Sequence, residues 1–284
     1  MLQINRYDIE NENYNKKVTV YLDDTVTLKA SILYFHGGGL IFGSREDLPE
    51  LHVQTLTSAG YAILAYDYPL APAVDLEVIF KDVCDSVHHY LANSAKYVGS
   101  QLPYFLWGRS AGAYLSLLAA GKGDFFVSPH GVISYYGYGL LCDNWFQTPS
   151  TYYKTLPAAP ASCMENIGPD FETEGPMETH FLRYLYARQT GTWKNIIFPR
   201  RDKFLYLHYS LRLCDSLPCP LFCAHSTGDT DVPYEEFIEL QKKYRPEIYV
   251  TSGSTHAFDG MTESRAAKEV LAKTVQFLDK LLLN

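Results

Sequence analysis

Residues 108–112, Gly-Arg-Ser-Ala-Gly, contain a serine that could act as a nucleophile. An apolar run at 104–107 precedes them, and a small, helix-prone run at 113–120 follows. This order predicts a strand, a sharp turn and a helix, with the Ser110 hydroxyl exposed at the turn. The flanking glycines leave room where a Cβ would clash, and the helix turns its positive N-terminal end toward the hydroxyl. The alternative is an ordinary turn serine.

A glycine loop at 36–39, His-Gly-Gly-Gly, could supply fixed hydrogen-bond donors. It follows the apolar run 32–35, which is typical of a buried strand. Successive glycines let the backbone turn its N–H groups toward a ligand, and a tetrahedral oxyanion needs such donors, each contributing about 3 kcal/mol. A flexible loop is the alternative, but the position upstream of Ser110 favours an oxyanion-binding role.

An acid and a histidine follow later in the chain, each after an apolar run. The run 220–225 leads to Asp229 and Asp231, and the run 248–250 leads to His256. The order serine, acid, histidine occurs in one class of Ser-His-acid triads. In such a triad the histidine takes the serine proton, and the acid fixes the imidazole tautomer and stabilises its charged form.

Three aspartates compete for the role of the acid. Asp229 lies in the turn just past the run 220–225, where a triad acid is expected. Asp231 suits the start of the next helix better, because an anion there meets unpaired N–H groups. Asp259 lies too close to His256 in sequence to be the usual partner.

Together the motifs resemble the α/β-hydrolase superfamily, and within it the hormone-sensitive-lipase-like carboxylesterases. The resemblance extends over about 30–125 and again over about 218–282. The motifs that carry it are His36-Gly37-Gly38-Gly39, Gly108-x-Ser110-Ala111-Gly112 and Tyr68-x-Leu70-Ala71-Pro72.

This resemblance implies a full set of catalytic groups. Ser110 would be the nucleophile, Asp229 the acid and His256 the base. The implied oxyanion hole consists of the backbone N–H groups of Gly38, Gly39 and Ala111.

Alternating strands and helices must position these groups. The pattern predicts a mostly parallel twisted sheet with helices on both faces. The resemblance implies that this sheet is the core of an α/β-hydrolase fold, here with a helical cap insertion. Catalytic groups then belong at the carboxyl ends of the strands. At the N-terminus, 18–22 and 27–29 are predicted to form an antiparallel hairpin around Asp23 and Asp24. The other predicted strands are 31–35, 61–66, 104–107, 131–136, 219–225 and 247–251, and the predicted helices are 48–59, 75–93, 111–120, a helix from 233, and 262–282.

The alternation breaks over residues 137–217, which are rich in aromatic side chains. We therefore predict a core made of 1–136 and 218–284, with 137–217 as a mostly helical cap over Ser110. Helical spacing recurs at 179–189. The alternative is a structural lobe that packs on the surface without contacting the site.

The charge of the chain restricts its partners. A formal net charge of −8 argues against nucleic acid or an anionic membrane surface. No apolar run is long enough to cross a membrane, and the N-terminus lacks the apolar region of a signal peptide. We expect a cytoplasmic protein that acts on a small molecule, and a homodimer is compatible with this composition.

Metal and cofactor sites are not expected. Without a visible secretion signal, the 6 cysteines are predicted to be reduced and buried. Cys219, Cys223 and His225 lie along one extended segment, whereas a tetrahedral metal site needs a turn to bring its ligands together.

The sequence therefore predicts a serine hydrolase that cleaves small carboxylic esters through an acyl-enzyme. An acyl-peptidase or amidase using the same groups is one alternative. A non-catalytic binding module is another, but such proteins usually lack the serine or the histidine. Arg109 could contact an acidic substrate group, although a solvated or salt-bridged arginine is the expected state.

Overall fold

One sheet of eight strands lies within residues 1–168, 170–253 and 255–283, which the computed structural model describes. The order of the strands across the sheet is β1-β2-β4-β3-β5-β6-β7-β8. The strands from β4 to β8 in that order pair in parallel, whereas β1–β2 and β2–β4 are antiparallel. In chain order they are β1 (Leu2–Ile9), β2 (Lys16–Asp23), β3 (Ala30–Phe35), β4 (Tyr61–Tyr66), β5 (Tyr104–Arg109), β6 (Gly131–Tyr135), β7 (Leu221–Ser226) and β8 (Glu247–Thr251).

Helices cover both faces of this sheet, as the alternation predicted. Strand β3 is buried along its whole length, which explains its continuous apolar sequence. On β3, Leu33 belongs to the core that α2 and α3 cover, and Ile32 belongs to the core that α1 and α8 cover. The helices are α1 (Glu50–Ser58), α2 (Leu76–Val98), α3 (Ala111–Lys122), α4 (Met177–Thr190), α5 (Trp193–Ile197), α6 (Asp202–His208), α7 (Tyr234–Tyr244) and α8 (Arg265–Leu282).

The predicted N-terminal hairpin is wrong. Strand β2 pairs with β1 upstream of it, with Leu2 opposite Asp23, and residues 27–29 form no strand. The other edge of β2 pairs with β4, so no edge remains for 27–29. The alternation of apolar and polar residues at 2–5 was the available signal for β1.

The long helix α2 ends five residues later than the predicted 93. Its start is capped by Asp75, whose side chain accepts the N–H groups of Glu77 and Val78. Gly99 follows the last helical residue and has a φ of 78°. A residue in this left-handed conformation closes many helices, and glycine adopts the conformation without strain.

Residues 137–217 contain α4, α5, α6 and three short 3₁₀ turns, but these elements make up less than half of the described residues of the segment, so it is less helical than predicted. Its first residues are held by Glu236 of α7, which is fully buried. The Glu236 carboxylate accepts the N–H groups of Gly139 and Leu140 at 3.2 and 3.1 Å, and the indole N–H of Trp145 at 3.1 Å. A buried carboxylate with several donors makes strong hydrogen bonds, so these contacts tie the segment to α7. The division into core and cap stays a prediction.

No helix in the described parts of the chain is both long enough and apolar enough to cross a membrane.

Candidate active site

Ser110 lies in the sharp turn between β5 and α3, where the sequence placed it. Its backbone has φ 54° and ψ −117°, a region that residues with a side chain rarely adopt. The two flanking glycines make the turn sterically feasible. A Cβ on Gly108 would lie 2.0 Å from the carbonyl carbon of Gly112, and one on Gly112 would lie 1.9 Å from the Phe35 oxygen.

A chain of hydrogen bonds links Ser110 to the predicted histidine and acid. The Ser110 Oγ lies 2.9 Å from Nε2 of His256, and Nδ1 of His256 lies 2.8 Å from Oδ2 of Asp229. These residues follow β5, β8 and β7, whose carboxyl ends meet at one edge of the sheet. The structure therefore brings together three residues that are far apart in sequence.

The Asp229 carboxylate is held in a fixed orientation. It is fully buried, and its Oδ1 accepts the backbone N–H groups of Asp231 and Val232 at 2.8 and 2.9 Å. Oδ2 is thereby left facing His256. Burial alone would raise the pKa of Asp229, but His256 and the N–H donors outweigh burial and lower it, so the acid stays ionised.

The imidazole of His256 lies among carboxylates. Burial disfavours its charged form, but the negative charges of Asp229, Asp231 and Asp259 outweigh burial and raise the pKa of His256. About one-fifth of the side chain is exposed. The arrangement can therefore take a proton from Ser110 and stabilise the resulting imidazolium.

The glycine loop presents free N–H groups beside Ser110. Gly38 and Gly39 have φ values of 99° and 59°. Within the described residues, neither N–H is bound to an acceptor of the protein. Ala111 is the first residue of α3, so its N–H has no partner within the helix. These are the three donors for which the resemblance implies a place in an oxyanion hole, and that role stays a prediction.

Two aromatic side chains support the glycine loop. The Tyr68 hydroxyl donates to the carbonyl oxygen of His36 at 2.8 Å, and the two rings stack with centroids 4.2 Å apart. The indole N–H of Trp193, in α5, donates to the carbonyl oxygen of Gly39 at 2.8 Å. Burial lowers the pKa of His36 to about 4, so its ring is neutral at pH 7. The motif that begins at Tyr68 therefore has a structural role.

A cleft of about 280 Å³ opens above Ser110. Segment 137–217 supplies part of its wall and thus contacts the site. Tyr184 lies so close to the glycine loop that a Cβ on Gly39 would be 2.1 Å from its ring. The aromatic residues that line the cleft are Phe42, Tyr136, Tyr153, Phe181 and Tyr184.

Asp231 does not serve the start of the next helix, so this expectation is wrong. Helix α7 begins three residues later, at Tyr234. Both carboxylate oxygens of Asp231 instead accept the Tyr184 hydroxyl, at 2.8 and 2.9 Å, and Arg188 lies 3.3 Å away. Asp231 Oδ2 is also 3.8 Å from Nε2 of His256. Tyr184 and Arg188 are four residues apart on one helix, so they share a face. This spacing indicates that the two side chains can bind one partner, but not that the partner is Asp231.

Arg109 is salt-bridged, as expected. Its Nε and Nη2 donate to the two carboxylate oxygens of Asp259, at 2.9 and 3.2 Å. Asp259 is therefore not the acid that binds Nδ1 of His256, which is Asp229, and its role as the partner of Arg109 was not predicted from the sequence. All six cysteines are free thiols, although only Cys223 is fully buried. No cluster of His, Cys, Asp or Glu in the described ranges is arranged to hold a metal ion.

Known proteins resemble this chain over its full length. A family described as "alpha/beta hydrolase fold" matches residues 32–162. A protein of unknown function from Staphylococcus aureus Mu50 is 31% identical, with 98% of this chain and 99% of that chain covered and a TM-score of 0.82. An alpha/beta hydrolase superfamily protein from Enterococcus faecalis is 24% identical, with the same coverage and a TM-score of 0.82.

More distant similarities were found as well. An esterase from Pyrobaculum calidifontis is 18% identical, covers 99% of this chain and 86% of that chain, and has a TM-score of 0.70. A non-reducing polyketide synthase from Penicillium roqueforti is 25% identical over 80% of this chain but only 10% of its own length. The chain thus spans about a tenth of the curated relatives that it matches first.

The chain has the α/β-hydrolase fold, and its residues 32–162 match the family of that description.

Proposed function

We propose that this protein is a serine hydrolase that cleaves small carboxylic esters through an acyl-enzyme. The observation that carries the proposal is the continuous chain from Ser110 Oγ through His256 to Asp229, with distances of 2.9 and 2.8 Å. The N–H groups of Gly38 and Gly39, which bind no acceptor within the described residues, support the proposal further. Esterases occur among the structural neighbours.

In the proposed reaction, Ser110 Oγ attacks the ester carbonyl carbon while Nε2 of His256 takes the hydroxyl proton. Asp229 accepts the Nδ1 proton in a hydrogen bond and stabilises the imidazolium without being protonated itself. The N–H groups of Gly38, Gly39 and Ala111 bind the oxyanion of the tetrahedral intermediate.

Collapse of that intermediate breaks the ester C–O bond. Nε2 of His256 then gives its proton to the departing alcohol, and the acyl group stays on Ser110. A water molecule then attacks the acyl carbon while the same nitrogen takes its proton. As the bond between the acyl carbon and Ser110 Oγ breaks, Nε2 gives that proton to Oγ, and the acid is released. Each proton taken by His256 is thus returned within the cycle.

A fluorophosphonate probe tests the proposal directly. The probe should modify the protein once, on the peptide that contains Ser110, because the activated hydroxyl displaces fluoride from phosphorus. Mass spectrometry of the digested protein locates the label. Absence of labelling, or labelling of another serine, would contradict the proposal. Parallel assays with matched esters and anilides distinguish an esterase from an amidase.

The pH dependence should report the raised pKa of His256. The base is active when neutral, so kcat/KM falls as the pH drops through that pKa. Because the pKa is raised, the acid limb should have its midpoint above about 6.5, the value of a free imidazole. The measurement is kcat/KM for p-nitrophenyl acetate between pH 5 and 9. Asp231→Asn removes a negative charge near Nε2 and should move the limb to lower pH. If the acid limb of the wild-type profile has its midpoint at or below the pKa of free imidazole, the pKa of His256 is not raised and this prediction is wrong.

The size of the cleft should limit the acyl chain. We expect kcat/KM to rise over the first few carbons, because each buried CH₂ contributes about 0.8 kcal/mol. It should then fall beyond about six carbons, where further carbons must displace packed aromatic side chains. A series of p-nitrophenyl esters from acetate to laurate measures this profile.

Two variants sharpen the test of acyl length. Phe181 lines the cleft, so Phe181→Ala should shift the optimum to longer chains. Phe204 of α6 is exposed and outside the cleft, and Phe204→Ala should leave the profile unchanged. A steady rise through twelve carbons in the wild type would indicate an open groove instead.

A further inference from the structure

A buried ion pair joins strand β5, which ends directly before Ser110, to the loop after β8 that carries His256. Arg109 is the last residue of β5 and directly precedes Ser110. Asp259 lies three residues after His256, in the 3₁₀ turn Phe258–Gly260. The Asp259 side chain is fully buried and that of Arg109 is only 12% exposed. Both carboxylate oxygens are used, which is the bidentate geometry that orients an arginine most strongly.

Two further donors complete the surroundings of Asp259. The Tyr136 hydroxyl donates to Oδ1 at 2.7 Å, and Nε2 of His52, in α1, donates to Oδ2 at 2.8 Å. The Tyr136 ring also packs edge-on against the His256 imidazole, with centroids 4.7 Å apart. Burial would raise the pKa of Asp259, but Arg109 and His52 outweigh burial and hold it well below its usual range. The carboxylate is therefore ionised.

In the loop that carries His256, few of the described residues have buried side chains. Residues 252, 253, 255 and 257 are exposed, and the first fully buried side chains after His256 are Phe258 and Asp259. Of these two, only Asp259 makes directed polar contacts. A shift of this loop would move the imidazole relative to Ser110.

We infer that Arg109 and Asp259 form a positioning pair, which with Tyr136 holds the imidazole of His256 at hydrogen-bond distance from Ser110. This inference rests on the proposed function. The pair acts through its geometry. Asp259 fixes the loop of His256, and Asp259 is itself bound to Arg109, the residue next to Ser110. The ion pair therefore links the backbone beside the base to the backbone beside the nucleophile. A displacement of about 1 Å in such a pair costs about 10²-fold in rate.

The geometry does not favour Arg109 as a receptor for an acidic substrate. Its Nε and Nη2 are both directed at Asp259, so its charge is already neutralised. An arginine that bound the substrate would affect KM for anionic esters alone. A positioning arginine affects kcat for neutral esters.

The test uses Arg109→Met, Arg109→Lys and Tyr136→Phe in the full chain. Arg109→Met should lower kcat for p-nitrophenyl acetate by about 10²-fold and leave KM within about threefold. Its fluorophosphonate labelling rate should fall in parallel. Arg109→Lys keeps the charge but loses the bidentate contact, so it should recover part of the lost kcat. Tyr136→Phe keeps the ring against His256 and removes one hydrogen bond, so it should give a smaller loss in a well-folded protein.

A matched control separates positioning from stability. Lys16 and Asp82 form another buried ion pair, 2.6 Å apart, between β2 and α2. Lys16→Met should lower Tm, as Arg109→Met does, because each leaves a buried carboxylate without its cation. Only Arg109→Met should lower kcat and the labelling rate.

Three outcomes would overturn the inference. Equal loss of kcat in Lys16→Met and Arg109→Met would make the Arg109 effect one of stability. Wild-type labelling and kcat in both Arg109→Met and Tyr136→Phe would show that the pair does not position His256. A change confined to KM for esters that carry a carboxylate would make Arg109 a substrate receptor. If the wild-type protein itself is not labelled at Ser110, the proposed function fails first, and the inference fails with it.

Discussion

Ser110→Ala is expected to lower kcat/KM for p-nitrophenyl acetate by about 10⁴-fold or more while the fold stays intact. The substitution removes the oxygen that lies 2.9 Å from Nε2 of His256, so no acyl-enzyme can form. Alanine and serine both carry a Cβ, so the backbone turn with φ 54° is equally strained in both. Steady-state kinetics measures the loss of activity, and circular dichroism and Tm show whether the fold is intact.

Ser116→Ala is the control for that variant. Ser116 lies in helix α3, which follows Ser110; it is fully buried, and its hydroxyl has no hydrogen-bond partner within the described residues. Removal of this hydroxyl should leave activity unchanged. If Ser110→Ala retains more than a tenth of the wild-type activity, Ser110 is not the nucleophile.

Asp229→Asn should cost far more in kcat than Asp231→Asn, with a loss of about 10⁴-fold for the first. In the wild type, one oxygen of Asp229 accepts two backbone N–H groups. The asparagine oxygen would keep those bonds, which leaves its NH₂ group facing Nδ1 of His256. The imidazole must then carry its proton on Nε2, where it cannot accept the proton of Ser110.

Asp231→Asn should have a much smaller effect, because Asp231 interacts with the opposite side of the ring. Its oxygen is 3.8 Å from Nε2 and its main partner is Tyr184. An asparagine can still accept the Tyr184 hydroxyl. The two variants are compared by kcat at saturating substrate and at the pH optimum of each. If Asp231→Asn is the more damaging, the acid is Asp231 and the assignment moves by two residues.

Much of the fold could be predicted because its signals are local. Strand β3 and residues 104–107 of β5 are buried apolar runs of the right length, and the amphipathic helices α2 and α8 repeat their apolar residues at helical spacing. The N-terminal hairpin could not be placed in the same way. The choice of Leu2–Ile9 rather than 27–29 as the partner of β2 depends on which edges β1 and β4 occupy, and such pairing leaves no local pattern.

The same distinction between local and distant signals applies to the candidate site. Gly108 and Gly112 indicate the turn because any Cβ there would collide with the backbone, and this constraint is visible in five consecutive residues. Asp231 shows the contrary case. Its position in the chain suggests a helix cap, but its carboxylate turns toward Tyr184, 47 residues away. A hydroxyl from α4 comes within reach only after α4 packs beside the acid loop.

Residue types, their order and the backbone constraints could be read from the sequence alone: a serine between two glycines that the turn requires, a glycine loop after a buried strand, and an acid and a histidine after later strands. Which distant side chains meet became known only from the folded structure. The 2.9 Å contact of Arg109 with Asp259 spans 150 residues of chain, and Tyr153, Phe181 and Tyr184 in the wall of the cleft come from a segment outside the alternating pattern. Such contacts depend on how strands pair and helices pack, and neither leaves a local pattern in the sequence.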